Sequence, residues 1–147
     1  MGIYLNPGND LFAQALSSEI YVDKSMLIRL TNERLNSNDR HICISRPRRF
    51  GKSMAANMLV AYYSRNCDSK ELFSSLAIAD TLDFEDHLNK YNVIHLDMTR
   101  FASKAPDVKG MIDRLELTLK QELSELCADI SYPDFYSSDE ILTLIYN

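Results

Sequence analysis

The chain has 147 residues, of which 46% are hydrophobic and 25% are charged, and its net charge is −5. This length and composition are typical of a globular domain with a buried core, and the acidic balance argues against a chain that coats nucleic acid over a broad surface. Its three cysteines and three histidines show no metal-ligand spacing, and no segment has the pattern of a signal peptide or a membrane span. We therefore expect a cytoplasmic protein with reduced thiols and no membrane partner.

The hydrophobic pattern predicts helices separated by two strands. In chain order, the predicted elements are a short helix ending at Leu16, an extended piece at 20–22, a helix at 23–35, a strand at 42–45, a helix at 52–64, short helices at 69–76 and 84–90, a strand at 91–97, a long helix at 106–128 and a last helix from Ser138. The strand at 42–45 is apolar almost throughout, Cys43 included, which is typical of a central parallel strand buried on both faces.

These elements indicate an α/β layered fold, because buried strands alternate with helices. The buried stripe of the long helix is predicted to consist of Val108, Ile112, Leu115, Leu119, Leu123 and Leu126. Since two strands cannot make a sizeable parallel sheet, we expect the chain to be truncated at its C-terminus. An unpaired sheet edge and an uncovered last helix would then favour self-association of the isolated chain.

A basic loop at 46–53 joins the strand at 42–45 to the helix that follows it. It reads Arg-Pro-Arg-Arg-Phe-Gly-Lys-Ser, and Gly-Lys-Ser at the start of a helix is the setting of a phosphate-binding loop. In such a loop Gly51 would let the backbone approach the phosphates, Lys52 would reach the terminal phosphates, and the Ser53 hydroxyl would bind Mg²⁺. The full pattern, G-x-x-x-x-G-K-[ST], has glycine where this chain has Arg46, so a solvated basic turn or a nucleic-acid patch stays open.

The candidate nucleotide-binding residues are Arg46, Pro47, Arg48, Arg49, Phe50, Gly51, Lys52, Ser53 and Met54. Some side chains in and near the loop have two interpretations. The arginines at 48 and 49 either clamp phosphates or a partner's carboxylate, or are simply solvated. Phe50 either packs within the protein or stacks on a base, and Asp23 either caps the helix after it or lies near the nucleotide.

Three segments of the chain together resemble one family. They are Tyr21-Val22-Asp23-Lys24-Ser25, the loop from Ser45 to Ser53, and Asn89-Lys90-Tyr91-Asn92-Val93-Ile94. The family is the predicted AAA-ATPase-like domain, which in many bacterial proteins precedes a PD-(D/E)XK nuclease-like domain. The resemblance extends from Asn6 to the end of the chain, and family members carry arginine at the position of the missing first glycine.

This resemblance implies a partial P-loop NTPase with a three-layer α/β fold and a mostly parallel sheet. It implies that residues 1–147 are the N-terminal part of one such domain, with a helical segment at 1–40 and an incomplete nucleotide-binding core at 41–147. ATP and Mg²⁺ are the implied cofactors, with Ser53 as the magnesium residue. Nucleic acid is a possible partner of the full-length protein.

The resemblance leaves the catalytic acid without a match. Family members carry an I-D-E-Y-D-type Walker B segment after a further helix, and nothing in this chain corresponds to it. Asp97, at the end of the predicted strand 91–97, is the substitute candidate, although Met98 follows where a catalytic glutamate would stand. Asp97 is either a residue of the magnesium shell or a polar residue at a strand end. We therefore expect ATP binding without hydrolysis by this chain.

Two other functional classes stay open at this point. A small-molecule kinase shares the loop but needs an acceptor pocket. A nucleic-acid module would use the arginine cluster on backbone phosphates, and its affinity would fall steeply with salt.

Overall fold

The computed structural model describes residues 2–126. The described chain divides into two compact units, one formed by residues 6–93 and the other by residues 2–5 together with 94–126. Helices dominate both units. In chain order, the helices are α1 (Asp10–Leu16), α2 (Met26–Asn32), α3 (Lys52–Tyr63), α4 (Lys70–Phe73), a 3₁₀-helix (Ala77–Asp80), α5 (Phe84–His87), α6 (Met98–Ala102) and α7 (Val108–Leu126).

An aromatic core holds the unit of residues 6–93 together. Phe12 of α1 stacks on Phe73 of α4 with ring centroids 4.9 Å apart, and the Tyr62 ring of α3 meets Phe73 edge-on at 5.6 Å. Ile28 of α2 and Met58 of α3 are buried in the same cluster. Aromatic side chains bury large areas, so this cluster supplies much of the unit's hydrophobic stabilisation and fixes α3 against its neighbours.

The helix that follows the basic loop confirms the prediction for 52–64 to within one residue. Its buried positions include Ala55, Met58, Val60, Ala61 and Tyr62, so more than one face of the helix is covered. The Tyr62 hydroxyl, buried with its ring, donates a 2.6 Å hydrogen bond to the carbonyl of Phe84. Such packing on several sides holds α3 as a rigid support for the loop at its N-terminus.

The prediction of a three-layer α/β fold with a mostly parallel sheet is wrong. In the described part of the chain, β-structure is limited to two isolated bridges, Leu5 with Ile94 (antiparallel) and Ser64 with Tyr91 (parallel). The segment at 41–47 has no regular secondary structure, and its Ile42 and Ile44 side chains are 37% and 42% exposed. Cys43, predicted to be a core residue, is exposed as well.

The reason lies in where the second predicted strand, at 91–97, makes its hydrogen bonds. Asn6 pairs with Val93 through two groups, its N–H donating to the Val93 carbonyl at 2.7 Å and its side-chain Oδ1 accepting from the Val93 N–H at 2.8 Å. Tyr91 donates its N–H to the carbonyl of Tyr63 at 2.9 Å. Because these groups are used by Asn6 and by the end of α3, they do not pair with the segment at 41–47.

In the second unit, α6 contacts α7 and the N-terminal residues are tied to α7. The Glu122 carboxylate accepts hydrogen bonds from the N–H groups of Tyr4 (2.9 Å) and Leu5 (3.2 Å). The long helix was predicted at 106–128 and begins at Val108, with Asp107 accepting the N–H of Gly110 at 2.7 Å as its cap.

The buried stripe predicted for the long helix is only partly correct. Leu115, Leu119 and Leu123 are half-buried, but Val108 and Ile112 are 69% and 44% exposed. The predicted last helix from Ser138 lies outside the described residues. Self-association, which was predicted from a sheet edge and from that last helix, stays a prediction.

Candidate anion-binding loop

The basic loop ends in a left-handed turn immediately before α3. Gly51 has φ 74° and ψ 29°, and the first hydrogen bond of α3 runs from the N–H of Ala55 to the Gly51 carbonyl at 2.9 Å. The N–H groups at 51–54 therefore have no acceptor within the helix. A left-handed residue followed by helical residues makes successive N–H groups converge into a concave nest, which suits an anion.

Lys52, the first residue of α3, folds back across the beginning of the loop. Its Nζ donates hydrogen bonds to the carbonyl oxygens of Arg46 (2.5 Å) and Pro47 (2.9 Å), and the side chain is exposed. The ammonium group thus lies beside the loop backbone, within reach of an anion that would compete with these carbonyls.

Lys24 also binds the loop, although sequence reasoning did not assign it to the site. Its Nζ donates to the carbonyl oxygen of Phe50 at 2.8 Å. A Cβ built on Gly51 would lie only 2.9 Å from this Nζ, so Lys24 lies directly against the glycine turn. The available signal was that Lys24 belongs to one of the three segments that resemble the family.

The residues on either side of Lys24 are anchored to the 3₁₀-helix. The Asp23 carboxylate accepts the N–H groups of Ser25 (2.7 Å) and Ala77 (2.9 Å), and the buried Ser25 hydroxyl accepts the N–H of Ile78 at 3.1 Å. Partial burial of Asp23 acts to raise its pKa, but these hydrogen bonds outweigh burial and lower it. Asp23 is not the cap of α2, which begins at Met26 with Ser25 as its N-cap.

The rest of the loop is open to solvent. Arg46, Arg48 and Arg49 are exposed, and Arg49 has a left-handed backbone with φ 68°. Phe50 is 58% exposed, so it is not a core residue, and its stacking on a base stays a prediction. An open depression of about 430 Å³ is lined by Arg48, Arg49, Gly51, Lys52, Ser53 and Met54.

Asp97 lies in the unit that contains residues 94–126 and caps α6. Its Oδ1 accepts the N–H of Thr99 at 3.0 Å and the Thr99 hydroxyl at 2.5 Å, and these two hydrogen bonds lower the pKa of the carboxyl group. Its role as a magnesium residue stays a prediction. Within residues 2–126, no three His, Cys, Asp or Glu side chains are grouped so that they could hold a metal ion.

No helix among the described residues is long and apolar enough to cross a membrane. Searches of curated proteins and of solved structures gave no match to this chain. The sequence model of one family, described as predicted AAA-ATPase, matches residues 12–145, a range that includes the whole loop and the Lys24 segment. The chain belongs to this predicted AAA-ATPase family.

Proposed function

We propose that this chain binds ATP together with Mg²⁺ through the loop at 46–54. One observation carries the proposal: Gly51 is a left-handed residue immediately before α3, and the N–H groups at 51–54 have no hydrogen-bond acceptor within the helix. Family membership supports a nucleotide as the anion that these groups would meet. The depression beside them, lined by basic side chains, has a volume in the range of small-molecule sites.

Each loop residue has a distinct task in this proposal. The N–H groups of Gly51, Lys52 and Ser53 would donate to phosphate oxygens, where the dipole of α3 adds to the attraction. Lys52 would exchange the carbonyls of Arg46 and Pro47 for a terminal phosphate. The exposed Ser53 hydroxyl would serve as a ligand of Mg²⁺, an ion that prefers oxygen ligands and neutralises phosphate charge.

Hydrolysis needs a carboxylate that orients water, and that residue stays unassigned. The carboxylate of Asp97 is already held by Thr99. The loop therefore supports nucleotide binding, and binding without hydrolysis stays a prediction for residues 1–147.

Replacing Lys52 with alanine tests the proposed function. Calorimetry with Mg-ATP should show affinity lowered by about tenfold or more, since a charge-assisted contact to phosphate is lost. The thermal midpoint should change little, because Lys52 is exposed. The matched control is Lys70→Ala, which removes an exposed lysine whose Nζ pairs with Glu85 and not with a loop carbonyl. Equal ATP affinity in the Lys52 variant and in this control would contradict the proposal.

The exposure of Arg46, Arg48 and Arg49 favours one second function, contact with nucleic-acid phosphates. Such binding would be strongly salt-dependent. An oligonucleotide bound in a salt-dependent manner and not displaced by ATP would favour this function over nucleotide binding.

A further inference from the structure

We infer that Lys24 is a positioning residue of the nucleotide site, which it serves by fixing the Phe50–Gly51 peptide. This inference rests on the proposed function, because it concerns the same loop. Lys24 lies outside the loop, 26 positions before the residue whose carbonyl it binds.

The first step concerns the orientation of one peptide group. The Lys24 ammonium binds the Phe50 carbonyl oxygen at 2.8 Å. The described chain contains no cis peptide bonds, and in a planar trans peptide the C=O and the N–H point in opposite directions. By holding the Phe50 carbonyl, Lys24 therefore directs the N–H of Gly51 to the other side of the backbone, where it belongs to the nest at the start of α3.

The second step concerns charge. A carbonyl oxygen carries partial negative charge and repels a phosphate. Lys52 binds the carbonyls of Arg46 and Pro47, and Lys24 binds the carbonyl of Phe50. Since Lys52 would leave its two carbonyls for a phosphate, Lys24 is the ammonium group that would still neutralise a carbonyl oxygen of the loop, which lowers the cost of placing an anion against it.

The third step concerns rigidity. Lys24 is flanked by Asp23 and Ser25, whose side chains accept the N–H groups of Ala77 and Ile78 in the 3₁₀-helix. This anchoring on both sides fixes the backbone from which the Lys24 side chain extends. At its other end, the ammonium group lies 2.9 Å from the position that a Cβ on Gly51 would occupy, so a side chain at position 51 would displace the ammonium group.

The test compares Lys24→Met, Lys24→Arg and the control Lys70→Met in the whole chain, with Lys52→Ala as the reference for the site. Calorimetry measures affinity for Mg-ATP and Mg-ADP, and NMR records the amide shift of Gly51 in the nucleotide-free protein. We expect Lys24→Met to lower affinity for both nucleotides by the same factor, about tenfold. Lys24→Arg, which keeps a charged donor, should stay within about threefold of the natural protein. The Gly51 amide shift should move in Lys24→Met and stay in place in Lys70→Met.

Each outcome decides between the alternatives. Unchanged nucleotide affinity in Lys24→Met, alongside a loss in Lys52→Ala, would overturn the positioning role and leave the proposed function intact. A loss for ATP alone would also overturn it, because it would indicate direct contact with the γ-phosphate. Unchanged affinity in Lys52→Ala would mean that the proposed function itself fails. Should Lys24→Met fail to fold, Lys24→Ala takes its place with the same expected loss of affinity for both nucleotides, and unchanged affinity in that variant would overturn the positioning role.

Discussion

Gly51 serves the loop in two ways. Its φ of 74° lies in the left-handed region, which costs a residue with a side chain about 1–2 kcal/mol. Its missing side chain also leaves room for the Lys24 ammonium group. Glycine therefore suits the backbone path of the loop, and its lack of a side chain leaves the Lys24 contact undisturbed.

Substitution at Gly51 should affect stability and binding. Gly51→Ala should lower the free energy of unfolding by about 1–2 kcal/mol and should weaken ATP binding, because the nest and the Lys24 contact are both disturbed. Gly51→Asn serves as the comparison, since asparagine tolerates the left-handed region but still carries a Cβ. We expect Asn to recover part of the stability and none of the affinity, as measured by urea unfolding and calorimetry. Wild-type affinity in both variants would refute this account of the glycine.

At this scale, part of the site could be predicted from the sequence. Gly51, Lys52 and Ser53 are contiguous, so their order and the helix after them indicate an anion site. Lys24 could not be assigned in this way, because its contact with Phe50 depends on how α2 and α3 fold around one core. The sequence left the position of Phe50 open for a similar reason, since the exposure of an aromatic residue in a loop depends on its neighbours in the fold.

At the scale of elements, one side chain stabilises the C-terminal end of α3. Asn89 has a left-handed backbone with φ 55°. Its Nδ2 donates to the carbonyls of Ala61 and Ser64, both at 2.9 Å, and its Oδ1 accepts the N–H of Ser69 at 3.0 Å. The last carbonyls of a helix have no partner within it, so Asn89 supplies what the end of α3 lacks.

Replacing Asn89 with alanine should therefore destabilise the protein by about 2 kcal/mol or more, because buried carbonyls lose a donor and alanine is strained in the left-handed region. The matched control is Asn38→Ala, at an exposed turn residue, which should change the free energy of unfolding by less than about 0.5 kcal/mol. Chemical denaturation of both variants measures the difference. Similar losses in the two would show that Asn89 is not a specific cap.

The helices were the elements that the sequence predicted best, because caps and a 3.6-residue repeat are local signals. The helix at 52–64 was placed to within one residue, whereas the helix predicted at 23–35 proved shorter, at Met26–Asn32. Its start was misassigned because Asp23 resembles a cap and instead binds Ser25 and, farther along the chain, Ala77.

At the scale of the whole molecule, the sheet shows the limit of pattern reasoning. An apolar run such as 42–45 predicts a buried strand only if partner strands are available, and pairing is a non-local property. Here the segment at 91–97 forms hydrogen bonds with Asn6 and with the end of α3, and Ile42 and Ile44 stay partly exposed. The loop nevertheless has a defined geometry, since its support comes from α3, Lys24 and the aromatic core.

The measurement that tests the central claim most directly is a crystal structure of this chain with Mg²⁺ and a non-hydrolysable ATP analogue. We expect phosphate oxygens within hydrogen-bond distance, about 2.7–3.2 Å, of the N–H groups of Gly51, Lys52 and Ser53. The Lys52 Nζ should have left the carbonyls of Arg46 and Pro47 for a phosphate, while Lys24 stays on Phe50. Phosphates bound elsewhere, with the start of α3 free of them, would contradict the account.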